Sequence, residues 1–392
     1  MKYDFDFMAE RRGTNAIKYD FAQERGKPEG LLPLWVADMD FSAPPEVLED
    51  LQRSVRHGIF GYSDVKDDYY EVVSAWFKSH FGYAPSRSET LKTPGVVFAL
   101  AQAIRAYSQP GEAILIQTPV YHPFYEIIRS NRRALLTNPL LYREGSYSIN
   151  FEDFERKIEG HNVKLFILCN PHNPVGRVWT RGELEQMNEI CTRHGVLVFS
   201  DEIHCDFVWP GHTHTCFGTL NENAILATAP SKTFNLAGLQ ASNIFVKNAK
   251  LREKLKAEIH RSGYAQLNML GLLACQSAYA KGAAWLEALK AYLLENMRFT
   301  RAFLRTHLPK IHFVEPEGSY LLWLDFSAYG LTQHELDGRI TEHAGLWLSS
   351  GTVFGPEGEG FQRLNMACPR ARLAEALSRL ESAFKEADFR LK

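Results

Sequence analysis

"VKLFILCNPHNPVGRVWTRGELEQMNEICTRHGVLVFSDEIH", residues 163–204, holds two short apolar runs separated by a stretch of helical period. The first run, VKLFILC (163–169), is apolar almost throughout, as a strand buried on both faces must be. In RGELEQMNEICTRHG (181–195), Leu184, Met187, Ile190 and Cys191 recur at the spacing that puts them on one helix face. Gly195 reads as a helix stop, and VLVFS (196–200) as the next buried strand.

The same alternation continues on both sides, with apolar runs AILIQ (113–117), AILAT (224–228) and NIFVK (243–247). Apolar strands alternating with helices indicate an α/β chain with a largely parallel sheet covered on both faces. Past residue 280 the pattern changes. A long amphipathic stretch, AAWLEALKAYLLENMRFTRAFLRTHL (283–308), leads into strand-like GSYLLWLDF (318–326). A polar helix, an exposed-looking loop FGPEGEG (354–360) and a last helix from Arg370 follow. The expected organisation is a large domain over 49–287 and a smaller one over 288–392, the long helix connecting them. Residues 1–48, rich in aromatics and turn formers, read as an N-terminal arm with part of the small domain.

Composition narrows the function. The chain has 392 residues, 45% hydrophobic and 23% charged, enough for a large core. A formal net charge of -2 attracts neither nucleic acid nor an anionic membrane. The start, MKYDFDFMAERRG, has no apolar run after a basic start, so no signal peptide is expected, and no apolar stretch is long enough to span a bilayer. Cys169, Cys191, Cys205, Cys216, Cys275 and Cys368 lie scattered in apolar segments, as free thiols of a reducing cytoplasm would. HCDFVWPGHTHTC (204–216) gathers His204, Cys205, His212, His214 and Cys216, but without a CxxC or HxxxH pair. A polar loop after a strand accounts for it, and no metal is expected.

In open parallel sheets ligands lie beyond the carboxyl ends of the strands. Those ends here carry Tyr121 after AILIQ, Asn170 to Gly176 after VKLFILC, Asp201 and His204 after VLVFS, and Ser231 and Lys232 after AILAT. Each alone reads as a turn residue or a cap. Together they place an aromatic, an amide, a carboxylate, an imidazole, a hydroxyl and an amine on one edge. KTPGVVFALAQAIRAY (92–107) adds a helix start at Gly95, Val96 and Val97, where free backbone N–H groups suit a phosphate. Pyridoxal phosphate uses such a set. A lysine forms an imine with its aldehyde, a carboxylate keeps its pyridine nitrogen protonated, and an aromatic covers its ring. Asn173 and His204 are candidates to hydrogen-bond the ring hydroxyl.

The motifs NPHNPVG (170–176), SDEIH (200–204), SKTFNLAGL (231–239) and FQRLNMACP (361–369) resemble those of the class I/II aminotransferase superfamily. The resemblance covers nearly the whole chain. It implies the fold type I pyridoxal-phosphate architecture, a mostly parallel seven-stranded sheet beside a smaller α+β domain. It makes Lys232 the imine-forming and proton-transferring lysine, Asp201 the pyridinium partner and Tyr121 the stacking ring. Asn173 contacts the ring hydroxyl, and Gly95, Val96, Val97 and Ser231 the phosphate. Arg363 holds the substrate α-carboxylate, with Ala37 and Asn173 beside it. Ala229 departs from the pattern, since many relatives have a phosphate-binding Ser or Thr there.

LPLWVADMDFSAPPEV (32–47), FGYSD (60–64), QTPVYHPFY (117–125) and EGSYLLWLD (317–325) are similar to the cystathionine β-lyase, or carbon–sulfur lyase, branch. That resemblance implies a homodimer in which Tyr62 reaches the phosphate of the other subunit's cofactor. It also implies cleavage of cystathionine or related cysteine S-conjugates to a thiol, pyruvate and ammonia. Two alternatives stay open: an aminotransferase for aromatic or other apolar amino acids, and a non-catalytic regulator on the same fold.

Overall fold

The computed structural model describes residues 3–264 and 266–385. Its centre is a seven-stranded sheet. The strands are β1 (Thr90–Thr93), β2 (Ala113–Thr118), β3 (Ala134–Pro139), β4 (Val163–Cys169), β5 (Leu197–Asp201), β6 (Ile225–Thr228) and β7 (Ser242–Phe245). Their spatial order is β1-β7-β6-β5-β4-β2-β3. The pairs from β6 through to β3 are parallel. β7 runs antiparallel to both neighbours. No long crossover helix separates β6 from β7, so the chain turns back and enters beside β6 in the opposite direction.

Alternation along each strand feeds two separate cores. Ile114, Ile116, Leu165, Ile167, Phe199 and Ile225 pack on one face, with Ala99, Leu100, Ala103 and Ile104 of the helix Val96–Tyr107. Leu115, Phe166, Leu168, Val198 and Leu226 pack on the other. Successive strand residues point to opposite faces, so a sheet covered on both sides needs an unbroken apolar run. The helix Arg181–Arg193 buries Leu184, Met187, Ile190 and Cys191, the four positions its periodicity selects. Thr180 and Glu183 form a capping box at its start, and Gly195, at φ +67, lies just beyond its end.

A second sheet is built from β8 (His312–Val314), β9 (Leu321–Asp325), β10 (Ser349–Ser350) and β11 (Phe361–Asn365). All its pairs are antiparallel, in the order β8-β9-β11-β10. The helices Ala283–His307 and Arg370–Lys385 accompany it. The loop 354–360 is less exposed than its composition suggests. Phe354 is buried, and backbone packs so closely between Gly351 and Gly358 that a Cβ on either would meet the other's carbonyl oxygen at about 2 Å.

The N-terminal segment is stitched across both sheets. Leu32–Pro33 pairs in parallel with Leu346–Trp347. The Asn365 amide donates to the Leu34 carbonyl, and the Asn365 side chain donates to the carbonyls of Val36 and Asp38. From the other side, Asn235 donates to the carbonyls of Met39 and Phe41. Buried Lys18 lies 3.0 Å from Asp40, which Arg11 also pairs at 2.8 Å. These contacts carry residues 35–38 past the carboxyl edge of the large sheet.

Candidate active site

The carboxyl ends of β2, β4, β5 and β6 face a cavity of about 610 Å³. Lys232 enters it from the single-turn helix Pro230–Thr233 that follows β6. Its Nζ donates to the Ala37 carbonyl at 2.8 Å, and the Tyr320 hydroxyl donates to that same oxygen at 3.0 Å. Burial lowers the Lys232 pKa to about 8; the positive charge of Arg363 adds to this, and Asp38 and Asp201 oppose it. At neutral pH the amine is therefore mostly charged but keeps a neutral fraction that an ordinary lysine lacks.

Asp201, at the end of β5, is buried against this cavity and accepts from the Ile203 amide at 3.1 Å. Burial raises its pKa to about 7, more than the Ile203 amide and the Lys232 charge lower it. A carboxylate held this way lacks a close cation. His204 is pushed down to about 3 by burial, then by Lys232 and Arg363, and so stays neutral. Its Nδ1 shares a hydrogen bond with the Ser319 hydroxyl at 3.3 Å. Tyr121, just beyond β2, lines the same cavity, and burial followed by the Asp201 charge raises its phenol pKa.

Arg363 projects from β11, an inner strand of the second sheet. Its Nη1 donates to Asn173 Oδ1 at 2.9 Å, and its Nη2 to the Trp35 carbonyl at 2.8 Å and Ser349 Oγ at 3.3 Å. The guanidinium lies 4.7 Å from the centre of the Phe354 ring. Its Nε is buried with no partner. An unpaired donor on a buried cation is costly unless an anion completes it.

Gly95 is the N-cap of the helix Val96–Tyr107, and no side chain caps that end. Gly95, Val96, Val97 and Ser231 all line the cavity. A Cβ at Gly95 would meet nothing within 4 Å, so open space adjoins the free N–H groups. Ala229 sits apart, buried in the apolar core behind the cavity edge. Tyr62 is elsewhere, 98% exposed in the segment between two helices.

Thus all sequence-selected site positions except Tyr62 meet at one cavity. Of the five His and Cys of 204–216, Cys205, His212 and His214 line a separate cavity and only His204 lines that of Lys232. His204 faces the cavity, His214 pairs with buried Glu202 at 3.0 Å, and His212 lies 3.9 Å from Glu317. Sequence reasoning missed Trp35, Ser349 and Tyr320, which hold Arg363 and the Ala37 carbonyl. Two of these contacts use backbone oxygens, which any residue supplies, so residue type carries no signal for them.

The site's residues fit pyridoxal phosphate on three points: the helix start with no side-chain cap, buried Asp201 with no ion pair among the described residues, and the buried Lys232 amine. The chain belongs to the aminotransferase class I and II family, whose pattern matches residues 29–380. Within that family it is similar to the cystathionine beta-lyase PatB of Bacillus subtilis, with 44% identity covering 97% of this chain and 99% of that one. Among solved structures it is similar to cystalysin from Treponema denticola, which contains pyridoxal 5'-phosphate. The TM-score is 0.94 and the identity 34%, covering 98% of this chain and 100% of that one. The pyridoxal-phosphate-bound C–S lyase from Staphylococcus hominis gives a TM-score of 0.91 at 34% identity, covering 97% and 98% of the two chains.

Proposed function

We propose that this chain is a pyridoxal-phosphate-dependent carbon–sulfur β-lyase. It cleaves cystathionine or a related cysteine S-conjugate, with water, to a thiol, pyruvate and ammonia. The observation that carries this reading is the buried Lys232 amine, its pKa lowered by burial, in one cavity with the Asp201 carboxylate and the Arg363 guanidinium, whose Nε has no partner. The lyase outcome, rather than transamination, is supported by relatives that are a cystathionine beta-lyase and a C–S lyase.

Gly95, Val96, Val97 and Ser231 would hold the cofactor phosphate, Asp201 its ring nitrogen, Asn173 and His204 its hydroxyl and Tyr121 its ring face. Pyridoxal phosphate supplies a sink for the electrons left at Cα when its proton is removed. Arg363 takes the α-carboxylate and, through Asn173, Trp35 and Ser349, is fixed before the substrate arrives. Lys232 Nζ takes the Cα proton, and it is suited to do so because burial keeps a useful fraction of it neutral. The Ala37 carbonyl and the Tyr320 hydroxyl set where that nitrogen lies. Asp201, whose pKa burial raises to about 7, would be held as a full carboxylate by the charge of the cofactor's ring nitrogen.

The same reading divides the chain near residues 48 and 287, with the middle part carrying the cofactor and the remainder supplying Arg363. It makes the enzyme a cytoplasmic homodimer in which Tyr62 serves the cofactor phosphate of the other subunit. In support, Ile59, Phe60 and Tyr62 are exposed together, an apolar patch suited to burial by a second copy. The six buried free cysteines suit a reducing compartment. Among the described residues no helix is long and apolar enough to cross a membrane.

The test is a pyruvate assay on the purified holoenzyme. Pyruvate from cystathionine or S-alkyl cysteines is expected. Conversion of an amino acid and a 2-oxo acid with no pyruvate would leave the aminotransferase reading in its place.

A further inference from the structure

The cavity wall contains two cations that the chemistry above does not use. Arg25 and Lys27, from the N-terminal segment, line the same cavity as Lys232 and Arg363. Asp201 is the one carboxylate among its described lining residues, against these four cations. The cofactor and the substrate α-carboxylate engage Asp201, Lys232 and Arg363. Arg25 and Lys27 are left over, and among the described residues neither forms an ion pair.

Arg25 lies on the side of the cavity that holds Arg363. The Arg25 guanidinium sits 5.0 Å from the centre of the Trp35 ring, and Trp35 stacks on Trp347 at 4.5 Å and 12°. The Trp35 backbone carbonyl is the acceptor that orients Arg363. One residue therefore fixes the α-carboxylate arginine through its backbone and supports Arg25 through its ring. The charge of Arg25 also reaches His122, which lines the cavity; burial, Arg363 and Arg25 together lower the pKa of that imidazole. A stacked arginine loses less side-chain freedom on pairing than a free one, and a planar guanidinium suits a carboxylate.

We propose that Arg25 and Lys27 form a distal subsite for a carboxylate on the leaving thiol. The preferred substrates are then cysteine S-conjugates whose sulfur substituent ends in an acid. The assignment deepens the lyase reading and rests on it for the identity of the leaving group.

The test compares wild type with the Arg25→Ala/Lys27→Ala and Arg25→Glu/Lys27→Glu double variants, as holoenzymes. Three substrates are used: S-(2-carboxyethyl)-L-cysteine, S-propyl-L-cysteine and S-(2-aminoethyl)-L-cysteine; the first two form the acid-ended and neutral pair. Binding of their all-carbon counterparts, 2-aminopimelate and 2-aminoheptanoate, is measured by calorimetry, which needs no turnover. The alanine variant is expected to raise KM and Kd for the acid-ended compounds about fivefold to tenfold relative to the neutral ones. The glutamate variant is expected to reverse the preference toward S-(2-aminoethyl)-L-cysteine over the carboxyethyl substrate. Equal changes for acid-ended and neutral compounds, or no change in either, would overturn the subsite. Absence of pyruvate from these substrates and from cystathionine with wild type would instead sink the lyase reading, and calorimetry would still decide whether the subsite selects an acid.

Discussion

Asp201→Asn is expected to make the cofactor-free protein more stable and the enzyme inactive. Burial raises the Asp201 pKa from 3.8 to about 7. Between those values the folded chain keeps a proton that the unfolded chain releases, so rising pH destabilises the fold through this group. Three units at about 1.4 kcal/mol each set a ceiling on the order of 4 kcal/mol above pH 7. Asparagine keeps an acceptor for the Ile203 amide and carries no charge to desolvate. Other groups titrate in the opposite sense. Burial holds His172 and His204 neutral, with pKa values lowered from 6.5 to about 4 and about 3, so their contribution is lost as pH falls below 6.5. Subtracting wild type from variant at each pH cancels them to first order. Urea unfolding of both apoproteins from pH 5 to 8 is the assay. The asparagine variant's advantage should grow by roughly 2–3 kcal/mol across that range. A pH-independent difference, or an advantage that shrinks with pH, would refute the reasoning. Saturation with pyridoxal phosphate should reverse the order, because a cationic ring nitrogen gives the wild-type carboxylate the partner it lacks.

Lys232→Ala should lower pyruvate release by at least about 10³-fold while leaving the fold intact, which circular dichroism and a pyruvate assay check together. Arg363→Lys keeps the charge and loses the planar fork that meets Asn173 and Trp35. A loss of about 10- to 100-fold in kcat/KM, mostly through KM, is expected, and unchanged kinetics would remove Arg363 from substrate binding. Mixed Tyr62→Ala and Lys232→Ala subunits, dissociated and reassembled together, should regain turnover that neither variant has alone. Failure of such hybrids to recover, with dimers confirmed by sedimentation, would confine Tyr62 to its own chain.

What the sequence discloses follows from how locally each feature is determined. The parallel strands β2 and β4 to β6 are legible because burial on both faces demands unbroken apolar runs. The direction of β7 is not, because Ser242–Phe245 has the same apolar pattern either way and the path of residues 229–241 decides it. Likewise Lys232, Asp201 and Asn173 stand out because strand ends put rare residue types next to apolar runs. The parts that tune them do not. Lys232 is held by a carbonyl 195 positions away, and Arg363 by one 328 positions away. A backbone oxygen has no residue signature, so only the path of the N-terminal segment brings it there. That path is itself fixed by side chains with ordinary surface-like identities: Asn365 donating to two carbonyls from one sheet, and Asn235 donating to two more from beside Lys232. An arm that reads as peripheral thus sets the position of the reactive amine. Loosening it at Asn235 should therefore alter the pH dependence of turnover before it alters the fold. Asn235→Ala leaves Lys232 with weaker hold from Ala37, so more solvent reaches the amine and its pKa rises toward 10.5 from about 8. Because Lys232 acts in its neutral form, the alkaline rise in kcat should shift to higher pH. An unmoved pH profile with a lower Tm would reduce the arm to a structural strap.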